Sequence, residues 1–195
     1  MSEAKSLRTP SEAKSLTISL AIARTPVGPM ALYGMDGALV GLTLDGGHGA
    51  EHPVEQHLVR HLGALTVQRV PETAGAVARL ARYFSGDLAA LDEQPVRMLG
   101  TPFQVEVWEA LRAIPAGKTA SYAELARSIR RPDSVRAVGA ANGANPIAVF
   151  VPCHRVIGAN GTLWGYGGGL PMKQWLLSHE GARFTPLTKQ ETLPL

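Results

Sequence analysis

Over residues 18–44 the apolar positions recur with a period close to two. Ile18-Ser19-Leu20-Ala21-Ile22-Ala23 alternates in part, Gly28-Pro29 interrupts it, and Met30 to Tyr33 and Ala38 to Leu44 supply two more strands flanking Met35-Asp36-Gly37. Asp-Gly between apolar runs marks a tight hairpin, because both central turn residues must take positive φ. The chain therefore opens as an antiparallel meander. A helical period appears near Val54 to Leu62 and again over Thr73 to Phe84. In the second of these, Val77, Leu80, Ala81 and Phe84 form an apolar stripe that covers the sheet, with Arg79 and Arg82 outside it. Ser85-Gly86-Asp87 ends this helix, and Leu88 to Gly100, carrying Pro95 and Gly100, reads as a connection.

From residue 101 the pattern is helical. Thr101-Pro102 starts a helix with proline at its first position, and Phe103, Val105, Val107, Trp108, Leu111 and Ile114 are its apolar residues. Pro115-Ala116-Gly117-Lys118 stops it. Ser121 caps Tyr122 to Ile129, with Glu124 completing a capping box, and a turn at Arg130 to Asp133 leads to a second short helix, Ser134 to Asn142. Two short helices joined by a tight polar turn form a helix-turn-helix pattern. Ala137, Gly139, Ala140 and Ala141 on its second helix offer almost nothing to base edges in a major groove. Small residues there suit close backbone approach in a minor groove with little sequence preference, and equally suit packing against another helix.

Strands followed by helices indicate an α+β protein. The expected organisation is an N-terminal α/β unit over residues 17–92 with a small antiparallel sheet, a linker at 93–100 and a helical unit at 101–184. Ser-Glu-Ala-Lys-Ser-Leu occurs at residues 2–7 and again at 11–16, so residues 1–16 read as a flexible tail and 185–195 as a second one.

Composition narrows this further. At 195 residues and 45% apolar, the chain can bury a real core. No apolar run approaches the ~18 residues of a membrane span, and the N-terminus lacks a signal-peptide pattern. One cysteine permits no internal disulfide, and a reactive thiol survives best in a reducing compartment, so the expected location is the cytoplasm. The net charge of +3 is too small to imply nucleic-acid binding unaided. Its distribution says more: Arg127, Arg130, Arg131 and Arg136 lie within ten residues, the kind of cluster phosphate contacts need and that an ordinary solvated helix face can also carry.

The candidate chemistry sits at Val149-Phe150-Val151-Pro152-Cys153-His154-Arg155-Val156, where an apolar run breaks at a proline and presents the sole cysteine with a histidine beside it. A thiol at such a boundary suits a nucleophile, whose pKa falls near a helix N-terminus or a cationic neighbour; an inert buried cysteine is the plain alternative. Downstream, Lys173 to Glu180 has helical apolar spacing and ends in a carboxylate able to orient an imidazole, which would complete a set of thiol, base and orienter. His48, His52, His57 and His61 raise the question of zinc, since His57 and His61 share a helix face; with no cysteine nearby to complete the commoner sets, no metal is assigned.

Pro152-Cys153-His154-Arg155-Val156, with Asn145-Pro146-Ile147 before it and Gly165-Tyr166-Gly167-Gly168-Gly169-Leu170 and Trp175-Leu176-Leu177-Ser178-His179-Glu180-Gly181 after it, resembles the O6-alkylguanine-DNA alkyltransferases. The match runs from about Gly100 to Ala182 and is looser over residues 17–92. It implies a ribonuclease H-like N-terminal domain followed by a winged helix-turn-helix-like DNA-binding domain. It also implies direct-reversal repair, in which an alkyl group on O6 of guanine, or on O4 of thymine, moves irreversibly to Cys153 after nucleotide flipping, with neither metal nor cofactor. The implied partner is alkylated double-stranded DNA, approached from the minor groove by a monomer.

The resemblance also assigns roles by position. His154 acts through a water as base, Glu180 orients it, Asn145 holds the turn presenting the thiol, and Tyr122 assists flipping and protonates the leaving guanine. Arg136 fills the vacated place in the base stack, while Ala137, Ala140, Ala141 and Arg130 belong to the DNA-binding helices. Backbone groups of Cys153 and Val156 read the guanine edge; Tyr166, Gly167 and Gly168 line the loop closing over it. Trp164 and Asn142 depart from the usual residues of the pocket and bear on tolerance for bulky lesions, an inward-pointing Trp164 narrowing the slot. Among competing readings, a non-catalytic alkyltransferase-like sensor lacks the cysteine, a helix-turn-helix regulator would want a better base-reading helix, and a cysteine hydrolase would turn over an acyl substrate.

Overall fold

The computed structural model describes residues 15–187; the duplicated segment at residues 1–14 and the last eight residues lie outside the described range. Its first half is a four-stranded sheet, β1 Leu16–Thr25, β2 Gly28–Met35, β3 Ala38–Thr43 and β4 Leu65–Arg69, in the order β3-β2-β1-β4. The three meander strands pair antiparallel, as the alternation predicts, and Asp36 and Gly37 take φ of 50° and 77° in the hairpin between β2 and β3. β4 joins the other edge parallel to β1, so the sheet is mixed. That strand follows α1, Pro53–Leu62, which crosses one face of the sheet, and its short polar-rich sequence gives no apolar alternation to announce it. Leu16 already pairs with Leu65, so β1 begins where the tail was expected to end.

Alternation along the strands divides the core. Ile18, Leu20, Ala31, Tyr33 and Val40 pack with Leu58 of α1 on one face. Ala23, Met30, Leu32, Leu39 and Leu42 point to the other, where they meet α2, Ala76–Phe84, and the apolar residues of the second half in one continuous cluster. The inward side of α2 is Ala76, Leu80 and Tyr83; Ala81 is exposed, and the stripe is rotated from the one the sequence suggests. The helix also starts late. Ala74 and Gly75 take positive φ, and the Glu72 carboxylate accepts hydrogen bonds from the amides of Thr73, Val77 and Ala78, so the helix begins at Ala76 instead of Thr73.

The expected linker is not free of the sheet. Leu39 donates its amide to the Pro95 carbonyl and accepts from the amide of Arg97, which adds a short segment to the edge at β3. A methyl group on Gly100 would come within 2.6 Å of the Trp108 ring, so the chain here must pass close to the indole without a side chain of its own.

The second half contains α3 Pro102–Arg112, α4 Tyr122–Ser128, α5 Val135–Gly143 and α6 Gly169–His179, with a two-stranded pair, β5 Ala120–Ser121 and β6 Val156–Ile157. Thr101 and Ser121 both make complete capping boxes, with Gln104 and Glu124 returning to the cap amides. Arg130, at φ 59°, ends α4 in the left-handed conformation and turns the chain into α5. α3 supports both helices of this pair: Trp108 is fully buried and its Nε1 donates to the Ala141 carbonyl of α5 at 2.8 Å. Thr185 and Leu187, expected in a tail, are tied back through the Gly161 carbonyl and the Gln174 side chain.

Trp108→Phe should remove that donor, leave a buried carbonyl without its partner and lower unfolding stability by about 1–3 kcal/mol, read from the midpoint of urea denaturation.

Candidate active site

The chain reaches Cys153 through a constrained turn. Asn145 donates Nδ2 to the Val151 carbonyl at 2.7 Å and accepts from the Ile147 amide through Oδ1 at 3.0 Å, closing the loop that precedes the cysteine. Within it Val149 has φ 73°, a conformation that a β-branched residue adopts only when its surroundings force it. Cys153, His154 and Arg155 then form one 3-10 turn, all three buried.

His154 Nε2 lies 3.0 Å from Glu180 Oε1. Since a carboxylate accepts, Nε2 carries the proton, and Nδ1 is left as an acceptor; it is buried and meets no donor among the described residues. Arg155 clamps both oxygens of the same carboxylate, Nε to Oε2 at 3.0 Å and Nη2 to Oε1 at 2.8 Å. Tyr83, from α2, donates its hydroxyl to Oε1 at 2.9 Å. Burial alone would raise the Glu180 pKa, but the hydrogen bonds from His154 and Arg155 and their charges outweigh it and hold the carboxyl well below its usual range. Burial lowers the pKa of His154 despite Glu180, which keeps the imidazole neutral.

The thiol behaves differently from the sequence expectation. Burial raises its pKa, and the Asn145 side chain, the Lys173 charge and the amides of Cys153 and His154 only partly oppose this. The placement at a short turn does supply the favourable amides, but enclosure wins, so the resting group is a neutral thiol. Lys173 is fully buried, donates to the carbonyls of Val156 and Trp164 at 2.7 Å each, and has its pKa pushed down to about 8 by burial.

A cleft of about 1170 Å³ opens onto Cys153. Tyr122, Asn142, Asn145, Tyr166, Gly167 and Gly168 line it from the second half, and the loop after β3 with one side of α1 forms the opposite wall. Burial, followed by the adjacent Cys153, raises the Tyr122 pKa and keeps its hydroxyl protonated.

Residues 102–182 match the description "6-O-methylguanine DNA methyltransferase, DNA binding domain". The methylated-DNA--protein-cysteine methyltransferase of Salmonella typhimurium is 55% identical over 130 residues, 66% of this chain and 76% of that protein. The protein of the same name from Mycobacterium tuberculosis is 44% identical over 159 residues, 82% of this chain and 90% of the relative. The chain belongs to this family. Among solved structures, that of M. tuberculosis OGT in complex with DNA superposes with a TM-score of 0.69 at 40% identity, covering 84% of this chain and 92% of that one. M. tuberculosis O6-methylguanine methyltransferase gives the same TM-score at 39% identity over 89% and 98%.

Several residues of this alkyltransferase lie elsewhere than the sequence suggests. Trp164 does not line the cleft: Lys173 draws its carbonyl inward, while the indole is 61% exposed and bonds Thr162 Oγ1 through Nε1. Val156 is likewise off the wall, buried in β6 with its carbonyl taken by Lys173. Ala141, expected at the DNA surface, is buried against α3, because Val138, Ala141 and Asn142 form the inward face of α5; Arg136, Ala137 and Ala140 are exposed. Of the arginine cluster, Arg127 and Arg130 are exposed and Arg131 is tethered to Glu106 at 2.9 Å and over the Phe103 ring.

The four histidines have separate occupations. His48 meets Arg69, His52 caps α1 through Val54, His57 bonds the Leu99 carbonyl and His61 the His57 carbonyl. Among the described residues no three His, Cys, Asp or Glu side chains converge as a metal site.

Three participants escaped the sequence reading: Tyr83, Arg155 and Lys173. Lys173 carried a signal, since it falls on the same side of α6 as Leu176, Leu177 and Glu180, and a charge on an apolar helix face usually has a purpose.

His154 and Glu180 both have folded pKa values below their ordinary 6.5 and 4.5. The unfolded chain therefore binds protons that the folded chain refuses, and stability, full above about pH 6.5, should fall as acid is added through both values. Urea midpoints between pH 7.5 and about 3 test this; Glu180→Gln should cost on the order of 3 kcal/mol at pH 7.5 and remove the part of the acid dependence that lies below about pH 4.5.

Proposed function

We propose that the protein repairs alkylated double-stranded DNA by transferring the alkyl group from O6 of guanine, and from O4 of thymine, to Cys153, once per molecule. The observation that carries this reading is a buried thiol in an open cleft beside a neutral His154 whose Nε2 is committed to Glu180 and whose Nδ1 is free to accept.

A lesion on a base edge is out of reach inside the duplex, so the nucleotide must rotate into the cleft, at a cost of a few kcal/mol. Arg136, exposed on α5, fills the space it leaves. Ala137 and Ala140, small and exposed on the same face, let the helix backbone approach a minor groove with little preference for sequence. Arg127 and Arg130 contact phosphates. Tyr122, on the first turn of α4 and on the cleft wall, crowds the target phosphate and favours the flipped state.

In the cleft the thiol proton passes through a water to His154 Nδ1 while Sγ attacks the alkyl carbon. The S–C bond forms as the C–O6 bond breaks, Tyr122, kept protonated by burial, donates to the departing guanine, and the proton held by His154 returns through water to Tyr122, so the net proton moves from the thiol to the guanine. A neutral resting thiol needs such a base, which is why the raised Cys153 pKa supports assisted attack over a stored thiolate. The thioether product is not readily hydrolysed, so the molecule is consumed. The chemistry uses the chain's own groups, acts in a monomer and fits a reducing cytoplasm.

Cys153→Ser should abolish transfer while sparing DNA affinity, because a serine hydroxyl is nearly isosteric but far less nucleophilic at neutral pH. DNA carrying labelled methyl groups reads this directly. Label on the serine variant, or many turnovers by the wild type, would sink the reading.

Arg136→Ala should slow repair in duplex DNA more than reaction with free O6-alkylguanine base, since only the duplex has a gap to fill. Equal losses on both substrates would remove Arg136 from the flipping step.

A further inference from the structure

Asn142 is a polar side chain placed among apolar ones. It belongs to the inward face of α5, next to Val138 and Ala141, is only 5% exposed, and borders the same cleft as Cys153. Its Oδ1 is buried and finds no donor among the described residues. A buried acceptor without a donor is unfavourable, and native structures seldom keep one without a use. Leu42, Pro146, Ala148 and Met172 make the neighbouring wall apolar.

The position of this amide is informative. Asn145 follows one turn later, its amide donating to the Asn142 carbonyl, and the Asn145 side chain is one of the groups that favours the thiolate of Cys153. Gly139, one turn earlier, lies against the Tyr122 ring. Asn142 therefore stands between the tyrosine and the loop that presents the thiol. Both polar atoms of Asn145 are already used, on Val151 and Ile147, so on this wall Asn142 holds the uncommitted amide. The carbon attacked by Sγ must touch the thiol, and whatever is attached to that carbon extends along this wall.

We propose that Asn142 is a specificity-determining residue that favours O6-alkyl groups bearing a hydroxyl one carbon beyond the attacked carbon, the 2-hydroxyethyl class. This rests on the reading that Cys153 accepts O6-alkyl groups. A hydroxyl both donates and accepts, and a carboxamide offers both complements, so the pair satisfies two buried groups at once. An apolar chain of the same length leaves the amide unpaired and pays its desolvation. The transfer is otherwise unchanged: the S–C bond forms, the C–O6 bond breaks, and the hydroxyl stays on the alkyl group.

The test uses the full chain and one duplex carrying either O6-(2-hydroxyethyl)guanine or O6-propylguanine, which differ by hydroxyl against methyl at the end of the chain. Second-order transfer rates should favour the hydroxyethyl lesion in the wild type. Asn142→Leu should lower the hydroxyethyl-to-propyl ratio about five- to tenfold, the worth of one neutral hydrogen bond. A ratio that is the same in both proteins overturns the proposal, and so does a wild type that prefers propyl, a result that stands even if the leucine variant fails to fold. Loss of both rates in equal proportion also overturns it, placing Asn142 against the base instead of its substituent. If the wild type transfers neither group, the alkyltransferase reading itself has failed, which is a different outcome from an unchanged ratio.

Discussion

The Glu180 carboxylate is the point at which the two halves of the chain and the candidate chemistry meet. It is buried, and a buried charge is tolerated only where its partners replace the lost water. Four donor atoms do so, from two separate stretches: the Tyr83 hydroxyl from α2, and His154 Nε2 with two nitrogens of Arg155 from the turn at the cysteine. Arg155 supplies the neutralising charge. His154 can therefore orient against the carboxylate without being protonated, which agrees with burial lowering its pKa. Had the histidine been the sole counter-ion, the same carboxylate would have pushed it toward the imidazolium and removed it as a base. Tyr83 extends the dependence to the first half, because α2 must dock correctly for its hydroxyl to arrive, and His179 in turn bonds the Tyr83 carbonyl.

A second constraint acts on the other side of the thiol. Val149 in a left-handed conformation is unfavourable, on the order of 1–2 kcal/mol, and it persists because Asn145 ties the ends of the loop and Ile147, Phe150 and Val151 are packed in the core. The apolar run before the cysteine is thus a strained loop whose side chains anchor it, and it is not a strand of the sheet. Strain held by packing fixes where Sγ can be, at the cost of sequence freedom in the loop.

Much of this was legible beforehand, and the reason differs by element. Hairpin, caps and the helix pair are local: Asp36-Gly37, Thr101-Pro102 and Ser121 with Glu124 specify their structures within four residues. The thiol, imidazole and carboxylate were legible through the resemblance and the apolar spacing of α6. What could not be read depends on distant contacts. Tyr83 and Glu180 are separated by 97 positions, and nothing in the α2 periodicity distinguishes a tyrosine that packs from one that also donates. β4 has no burial pattern of its own and exists because the edge of β1 accepts it. The outward turn of Trp164 follows from a lysine nine residues away claiming its carbonyl, and a bulky residue on a loop near a pocket gives no clue to which way that competition goes. The inward position of Ala141 likewise follows from Trp108.

The raised thiol pKa and the lowered imidazole pKa have one consequence when taken together. Both groups are uncharged at neutral pH, so the cleft holds no thiolate–imidazolium pair at rest. Such a pair is an advantage to an enzyme that must attack, release and attack again, since the nucleophile is always ready. A protein that reacts once gains little from readiness and risks losing its single cysteine to oxidants, to which thiolates are the vulnerable form. Enclosure that keeps the thiol protonated until a base and an alkyl carbon are both in place protects it during a long wait. The buried charge of Lys173, which favours the thiolate, then matters chiefly during attack, when negative charge gathers on sulfur in a site too enclosed for water to stabilise it. Its two carbonyl partners hold the ammonium in place, so the stabilisation is set before the reaction begins.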